Sequence, residues 1–289
     1  LPICVGCGGF CAQRLGSVIL NAGLNGGIMP KRAILAGGGA LPQSLLEAGD
    51  AILVTFHGTP VDARAPQQIE ARFEQLASLF ARLKSEGVTE LCLAGAMRRP
   101  AFDPTAFDAG TAALMPRFMA ALQQGDDGLL RAVIALLEEQ GFTICAPHDI
   151  RPDLLASEGV MVGEVSAALH ADAHRAAAVL AALAPQDVGQ GAVVAKGQVL
   201  AIETLPGTDA MLEFVAQTCP NSGGVLMKRP KAGQDLRVDM PGIGPQTIAM
   251  MQKAGLSGLV VQAGGALILE RDKVLARATS AGITLWAAP

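Results

Sequence analysis

Residues 33–146 alternate short apolar runs with stretches in which apolar residues recur every three or four positions, and few folds accept that alternation. "RAILAGGGALPQSLLEAG" opens with a short buried strand at 33–36, passes the glycine loop Gly37–Gly39, and continues as a helix ending near Gly49. "AILVTF" (51–56) is a second strand. In "QIEARFEQLASLFARLKSEG" the residues Ile69, Phe73, Leu76, Phe80 and Leu83 are spaced 4, 3, 4 and 3. That spacing predicts one apolar stripe on a helix that Gly87 terminates. "TELCLAGAM" (89–97) is a third strand, followed by Arg98, Arg99 and Pro100. "GDDGLLRAVIALLEEQG" is a helix with Leu130, Val133, Ile134 and Leu137 on one face, and "FTICA" (142–146) is a strand. The pattern predicts an α/β fold whose first domain is Rossmann-like, built around a parallel sheet.

After "PHDIRPDLLASEG" the texture changes. An Ala-rich helix spans roughly 164–183, and "GAVVAKGQVLAIET" (191–204) reads as two strands joined at Lys196-Gly197. A helix from "GTDAML", a strand "GGVLMKRP", a helix "PQTIAMMQKAG", a strand "GLVVQAG" and a short helix before "ITLWA" complete a mixed α+β domain. The expected division is 29–155 for the Rossmann-like domain and 156–289 for the second. Residues 1–28 hold one charge, Arg14, many glycines and no basic region ahead of an apolar one, which makes a poor signal peptide. They are expected to be a flexible extension or a misplaced start, with the domain beginning at Met29.

No apolar run approaches a membrane-spanning helix. The net charge of −4, one Trp and no Tyr leave neither a basic stripe nor stacking aromatics, so nucleic acid is excluded as a partner. Cys4, Cys7 and Cys11 in the extension lack a His or a second C-x-x-C for a metal site. Cys92, Cys145 and Cys219 lie in apolar contexts and read as buried free thiols of a reducing compartment, the cytoplasm.

Several groups qualify as ligands for a phosphate. The amides of Gly37, Gly38 and Gly39 follow a first strand, where a backbone loop can cradle an anion; the plainer reading is a tight turn. A dinucleotide fingerprint is incomplete, because Pro42 stands where G-x-G-x-x-G needs glycine and no acidic residue ends the second strand. Arg98 and Arg99 lie past a strand's carboxyl end, where open α/β sheets bind ligands and a guanidinium suits a phosphate. His148 also follows a strand end; a lone histidine there is a base or a structural hydrogen-bonding group. Thr208 and Asp209 sit between a strand and a helix, where Asp209 either caps the helix or joins Thr208 at a ligand.

"GQDLRVDMPGIGP" (233–245) departs from the rest of this charge-poor chain. Asp235, Arg237 and Asp239 alternate with Leu236, Val238 and Met240, and Lys228, Arg229 and Lys231 lie just upstream. Read as a strand, it puts the three charges on one face. Either this is a wet strand face, or cations gathered beside carboxylates serve metal-assisted phosphate chemistry. At about 3.3 Å per residue, Asp235 and Asp239 would be about 13 Å apart. Two ligand oxygens of one Mg²⁺ lie within roughly 4 Å of each other. An unbroken strand therefore cannot bring both carboxylates to one ion, so they have separate roles or the chain bends.

The blocks "LAGGGALP", "GVTELCLAGAMRRP", "GDDGLLRAVIALLEEQGF", "DVGQGAVVAKGQVLAIETLPGTDAML" and "KAGQDLRVDMPGIGP", in that order, resemble the LpxI type of UDP-2,3-diacylglucosamine pyrophosphatase. The resemblance covers nearly everything from Met29 onward, and its last two blocks are the most specific. It implies Mg²⁺-dependent hydrolysis of UDP-2,3-diacylglucosamine to UMP and 2,3-diacylglucosamine 1-phosphate (lipid X) in lipid A biosynthesis. The substrate would bind between the domains, and the catalytic aspartate would map to Asp235, with Asp239 second and Arg237 beside them. Asp235 is then the expected metal ligand. Gly37, Gly38, Gly39, Arg98, Arg99, Gln190, Thr208, Asp209, Lys228, Lys231 and Gln234 are the expected substrate contacts. Weak peripheral contact with the inner face of the inner membrane is expected, and a homodimer is allowed for. The competing readings are a nucleotide-sugar or nucleotide-cofactor binding protein and an oxidoreductase on a Rossmann-like domain.

Overall fold

The structure is a computed structural model that describes residues 30–97, 102–123 and 125–289. Residues 1–28 with Cys4, Cys7 and Cys11, and the Arg98–Arg99 pair, lie outside the described residues.

The first half runs β1 (Lys31–Ala36), α1 (Leu41–Leu46), β2 (Ile52–Phe56), β3 (Gln68–Ala71), α2 (Leu76–Ser85), β4 (Val88–Ala94), α3 (Ala109–Leu122), α4 (Gly125–Glu139) and β5 (Thr143–Ile144). Its five strands are all parallel, in the order β3-β2-β1-β4-β5. The central strands are apolar on both faces because both are covered. Ile52, Val54 and Leu91 pack with Phe80, Leu83, Ile134 and Leu137 on one side. Ile34, Leu53, Cys92 and Cys145 pack with Leu45 and Leu154 on the other. The chain reverses direction of travel at β1, which has β2 on one side and β4 on the other. Such a switch point opens a crevice beyond the strands' carboxyl ends.

One expected helix starts later than its stripe suggested. Gln68–Ala71 is the edge strand β3, paired with β2, with Ile69 and Ala71 turned inward and their neighbours exposed. Phe73 follows in a single 3₁₀ turn and stacks on Phe56 with ring centroids 4.3 Å apart. The helix proper starts at Leu76. Ile69 fits helical spacing and alternation equally well, and pairing to β2 decides between them. The helix α3 had no counterpart in the sequence reading. Asp108 caps it, accepting from Thr111 N–H at 2.6 Å and from Ser78 Oγ at 2.7 Å. Burial pushes the Asp108 carboxyl up, but those donors outweigh it and hold its pKa at about 2.

The short helix α5 (Pro147–Ile150) closes the first half, and the second contains β6 (Gly159–Val162), α6 (Ala167–Leu183), β7 (Gly191–Ala195), β8 (Gln198–Ile202), α7 (Gly207–Thr218) and β9 (Val225–Lys228). It continues with β10 (Gly242–Ile243), α8 (Pro245–Ala254), β11 (Gly258–Gln262), β12 (Leu267–Ile268), α9 (Arg271–Ala281) and β13 (Thr284–Ala288). Its main sheet has the order β6-β13-β11-β9-β7-β8. Strands β9, β11 and β13 are parallel, and β6, β7 and β8 antiparallel to their neighbours, so the domain is mixed as expected. The β7–β8 hairpin turns at Lys196 (φ 54°) and Gly197 (φ 76°), the positive pair that a two-residue turn of this hand needs. Asp172 of α6 accepts both turn amides, at 3.0 and 2.7 Å, and ties helix to hairpin.

The charged segment is not a strand. Val238 N–H and Asp239 N–H both donate to Asp235 C=O, at 3.2 and 3.1 Å, so residues 235–239 close one helical turn. Val238 packs against the helix-covered core of the first sheet, and Met240 against the core on that sheet's opposite side. Leu267 and Leu269 join the latter core as well. Among the described residues no helix is long and apolar enough to cross a membrane.

Candidate active site

A cleft of about 730 Å³ opens between the two halves. On the first half it is walled by Gly39, Ala40 and Ala96, from the loops after β1 and β4 at the switch point. On the second half three helices begin at it. Pro206–Asp209 open α7, Gly244–Thr247 open α8, and Leu269–Glu270 precede α9. Each helix presents unpaired N–H groups and the positive end of its dipole there. Three such ends around one cavity favour an anionic ligand with several oxygens.

The glycine loop contributes differently from expectation. Gly37 N–H donates to Ala94 C=O at 2.7 Å, Gly38 N–H donates to Ala96 C=O at 2.7 Å, and Ala96 N–H returns to Gly38 C=O at 2.9 Å. Two of the three amides are thus spent joining the β1 and β4 loops, and only Gly39 reaches the cleft wall. Gly37 is glycine for closeness: a Cβ there would lie 2.3 Å from the Ala96 carbonyl oxygen.

Thr208 and Asp209 both line the cleft. Asp209 is not a cap, since α7 starts at Pro206 without any side-chain cap. Behind Thr208 stands a buried polar group. Lys228, at the end of β9, donates through Nζ to Thr208 Oγ1 at 2.6 Å and to Glu203 Oε1 at 3.3 Å. Thr208 Oγ1 lies 2.6 Å from Glu203 Oε1 and donates to it. His148 lies in α5 and is not among the cleft residues.

The 235–239 turn precedes the cleft residue Gly242 by three residues in the chain, and Asp235, Arg237 and Asp239 are not themselves among the residues that wall the cleft. Asp235 receives Arg237 on both oxygens: Nε to Oδ1 at 3.0 Å and Nη2 to Oδ2 at 2.7 Å, with Arg237 N–H to Oδ1 at 3.0 Å. The Arg237 hydrogen bond holds the Asp235 carboxyl below its usual range, and Asp235, then Glu138, push the guanidinium up. The remaining fork of Arg237 reaches Glu138 of α4 at 2.8 Å, so the clasp spans both halves. Asp239 accepts from Gln190 Nε2 at 3.2 Å and from Gln234 Nε2. Gln234 Oε1 in turn accepts from Lys231 N–H at 2.8 Å, while Lys231 Nζ pairs with Asp187.

The turn removes the 13 Å separation that an extended strand would impose. Residues four apart on a helical turn project side by side. Among the described residues no three His, Cys, Asp or Glu side chains gather as a metal-ligand set. Magnesium, however, commonly takes one or two carboxylates and completes its octahedron with water and phosphate. Asp239 uses one acceptor position on each oxygen and keeps others open. Both oxygens of Asp235 are taken by Arg237, whose side chain is 41% exposed. The open acceptor positions of Asp239 are of the kind a magnesium ion takes alongside water and phosphate.

Of the residues anticipated from sequence, the structure brings Gln190, Gln234 and Asp239 into one network, pairs Asp235 with Arg237 on the same turn, and joins Thr208 and Lys228 in another network. Lys231 pairs with Asp187 at the edge of the first. Glu203, Gln246, Thr247, Glu270 and Arg277 were missed. Gly244-Pro245 ahead of Thr247 was the available signal for the start of α8; nothing local marks Glu203 or Arg277.

Comparison with known proteins places these halves in order. The family described as LpxI N-terminal domain matches residues 31–154, and that described as LpxI C-terminal domain matches residues 157–286. UDP-2,3-diacylglucosamine pyrophosphatase LpxI of Caulobacter vibrioides is 37% identical over 272 residues, spanning 88% of this chain and 96% of its own. Among solved structures, CobK precorrin-6A reductase is 16% identical over 89% of this chain and 86% of its own, at a TM-score of 0.27, too low to bear on the fold.

Proposed function

Since this chain belongs to the LpxI family, with that family's two domains in sequence, we propose that it is a UDP-2,3-diacylglucosamine pyrophosphatase of lipid A synthesis. It is a hydrolase acting on a diphosphate, and the products are UMP and 2,3-diacylglucosamine 1-phosphate. The observation that carries this reading is the convergence of three helix N-termini on one cleft between the halves. A diphosphate seated there has its charge met by fixed dipoles before reaction begins.

Arg237 leaves Asp235 for a phosphate oxygen, and Asp235 is freed to orient the attacking water; Asp235 and Asp239 are the residues that would hold a magnesium ion. Gln190 and Gln234 keep Asp239 aimed. Thr208 at the cleft, with Lys228 behind it, would offset charge as it develops on the leaving oxygen. Magnesium, when bound, supplies charge neutralisation of the diphosphate. Incubation with UDP-2,3-diacylglucosamine and Mg²⁺ in ¹⁸O-water tests the reading. Label in UMP or in the sugar phosphate reports activity and the phosphorus attacked; no hydrolysis with any divalent ion would sink it.

The acyl chains need an apolar exit, and both lips of the cleft carry one. Met97, 42% exposed, follows the wall residue Ala96; Leu205, 88% exposed, precedes the wall residue Pro206. We assign these lips to the substrate's acyl chains and to peripheral contact with the cytoplasmic face of the inner membrane. Leu205→Glu is expected to raise KM for vesicle-embedded substrate about tenfold, the worth of one partly buried leucine. Its melting temperature should not move, since the side chain packs against nothing in the folded chain. Unchanged KM would remove Leu205 from the lipid path.

A further inference from the structure

The chemistry above leaves one half-buried carboxylate unused. Glu203 follows β8, its side chain 13% exposed. Its Oε1 accepts from Thr208 Oγ1 at 2.6 Å and from Lys228 Nζ at 3.3 Å. Its Oε2 is enclosed and has no hydrogen-bond partner among the described residues. The enclosure is built from glycine. A Cβ on Gly191 would lie 2.6 Å from Oε2, and one on Gly189 would lie 2.1 Å from the Glu203 carbonyl oxygen. The residue between those glycines is Gln190, whose amide donates to Asp239.

Leaving a carboxylate oxygen unpaired in the interior is costly. An apolar side chain would fill the same space without that cost, so the carboxylate is retained for what Oε1 does. It supplies the counter-charge to an ammonium that is itself only 7% exposed. It also takes the hydrogen of Thr208, which turns a lone pair of that hydroxyl to Lys228. Lys228 has three donors, and Glu203 and Thr208 fix two of them. The direction of the third is thereby fixed too.

We propose that Glu203 is a positioning residue for the diphosphate site, acting through Lys228 and Thr208 without touching substrate. The glycines flanking Gln190 are then part of the same device. They let β8 approach closely enough for one half-buried carboxylate to aim the pair, while Gln190 aims Asp239. The proposal rests on the functional reading above, and the test separates the two.

The test uses the whole protein with ¹⁵N-labelled lysine, comparing wild type with Glu203→Gln, Glu203→Asp, Lys228→Met and the double variant Glu203→Gln/Lys228→Met. A slowly exchanging ammonium signal is expected in wild type and absent from Lys228→Met. It should disappear in Glu203→Gln and return in part in Glu203→Asp. With UDP-2,3-diacylglucosamine, Glu203→Gln should lower kcat about 10- to 100-fold, as loss of a hydrogen bond to a charged group does, with KM within about twofold. In the Lys228→Met background it should add nothing further. An ammonium signal indifferent to Glu203→Gln, or additive losses in the double variant, would overturn the proposal. If wild type hydrolyses nothing, the functional reading falls instead, and the ammonium spectrum still decides whether Glu203 holds Lys228.

Discussion

Asp235→Asn is expected to slow hydrolysis of UDP-2,3-diacylglucosamine on the order of 10³-fold while leaving the protein folded. The substitution keeps the shape of the side chain and removes its charge, so it can neither hold a cation nor orient water as a carboxylate does. It also releases Arg237 from the tighter of its two partners, leaving Glu138. Stability should change little. Asp235 and Arg237 are 25% and 41% exposed, and exposed pairs contribute about 0–1 kcal/mol. The measurement is release of UMP under saturating Mg²⁺ beside a thermal melt. Near wild-type turnover would remove Asp235 from the chemistry. A large loss of turnover accompanied by a collapsed melt would instead mark it as structural. Asp239→Asn in the same assay ranks the two carboxylates.

Gly37→Ala carries the largest expected effect on folding. The added Cβ would lie 2.3 Å from the oxygen and 2.7 Å from the carbon of the Ala96 carbonyl, both backbone atoms. Neither side can yield easily. Gly37 N–H is bonded to Ala94, and Ala96 exchanges two bonds with Gly38. Overpacking of this kind costs about 2–3 kcal/mol, and it would pull apart the two loops that wall the cleft. At Gly38 the nearest atom to an added Cβ is the Pro60 carbonyl oxygen at 3.3 Å, so Gly38→Ala should be several times milder. Urea midpoints for the two variants check the ordering. Equal stability would mean the loops do not hold this close approach in solution.

The alternation of β1, β2, β4 and β5 with the helices α1, α2 and α4 was legible because each of these strands carries its own apolar run, and fully covered parallel strands leave little else to read. The hairpin at Lys196-Gly197 was legible for a local reason as well, since its turn chemistry sits in two residues. Residues 68–73 were not, because Ile69 satisfies both periods and only its partner strand decides. The turn at 235–239 misled for the opposite reason. Polar and apolar residues alternate there because Val238 and Met240 must reach cores on opposite sides of a sheet, and that demand mimics a strand. Asp235, Asp239, Lys228 and Thr208 stood out by composition or by resemblance. Glu203 and Arg277 did not, since Lys228 lies 25 residues from the first and Pro245 lies 32 from the second.

The same turn has a consequence for anyone reading activity across a library of variants. Within six residues it alternates groups assigned to reaction chemistry with half-buried groups packed against the neighbouring domain. A change at Val238 or Met240 would displace Asp235 and Asp239 without altering either. Loss of turnover at any position from 235 to 240 is therefore ambiguous by itself. The ambiguity lifts only when each kinetic value is paired with a stability value for the same variant.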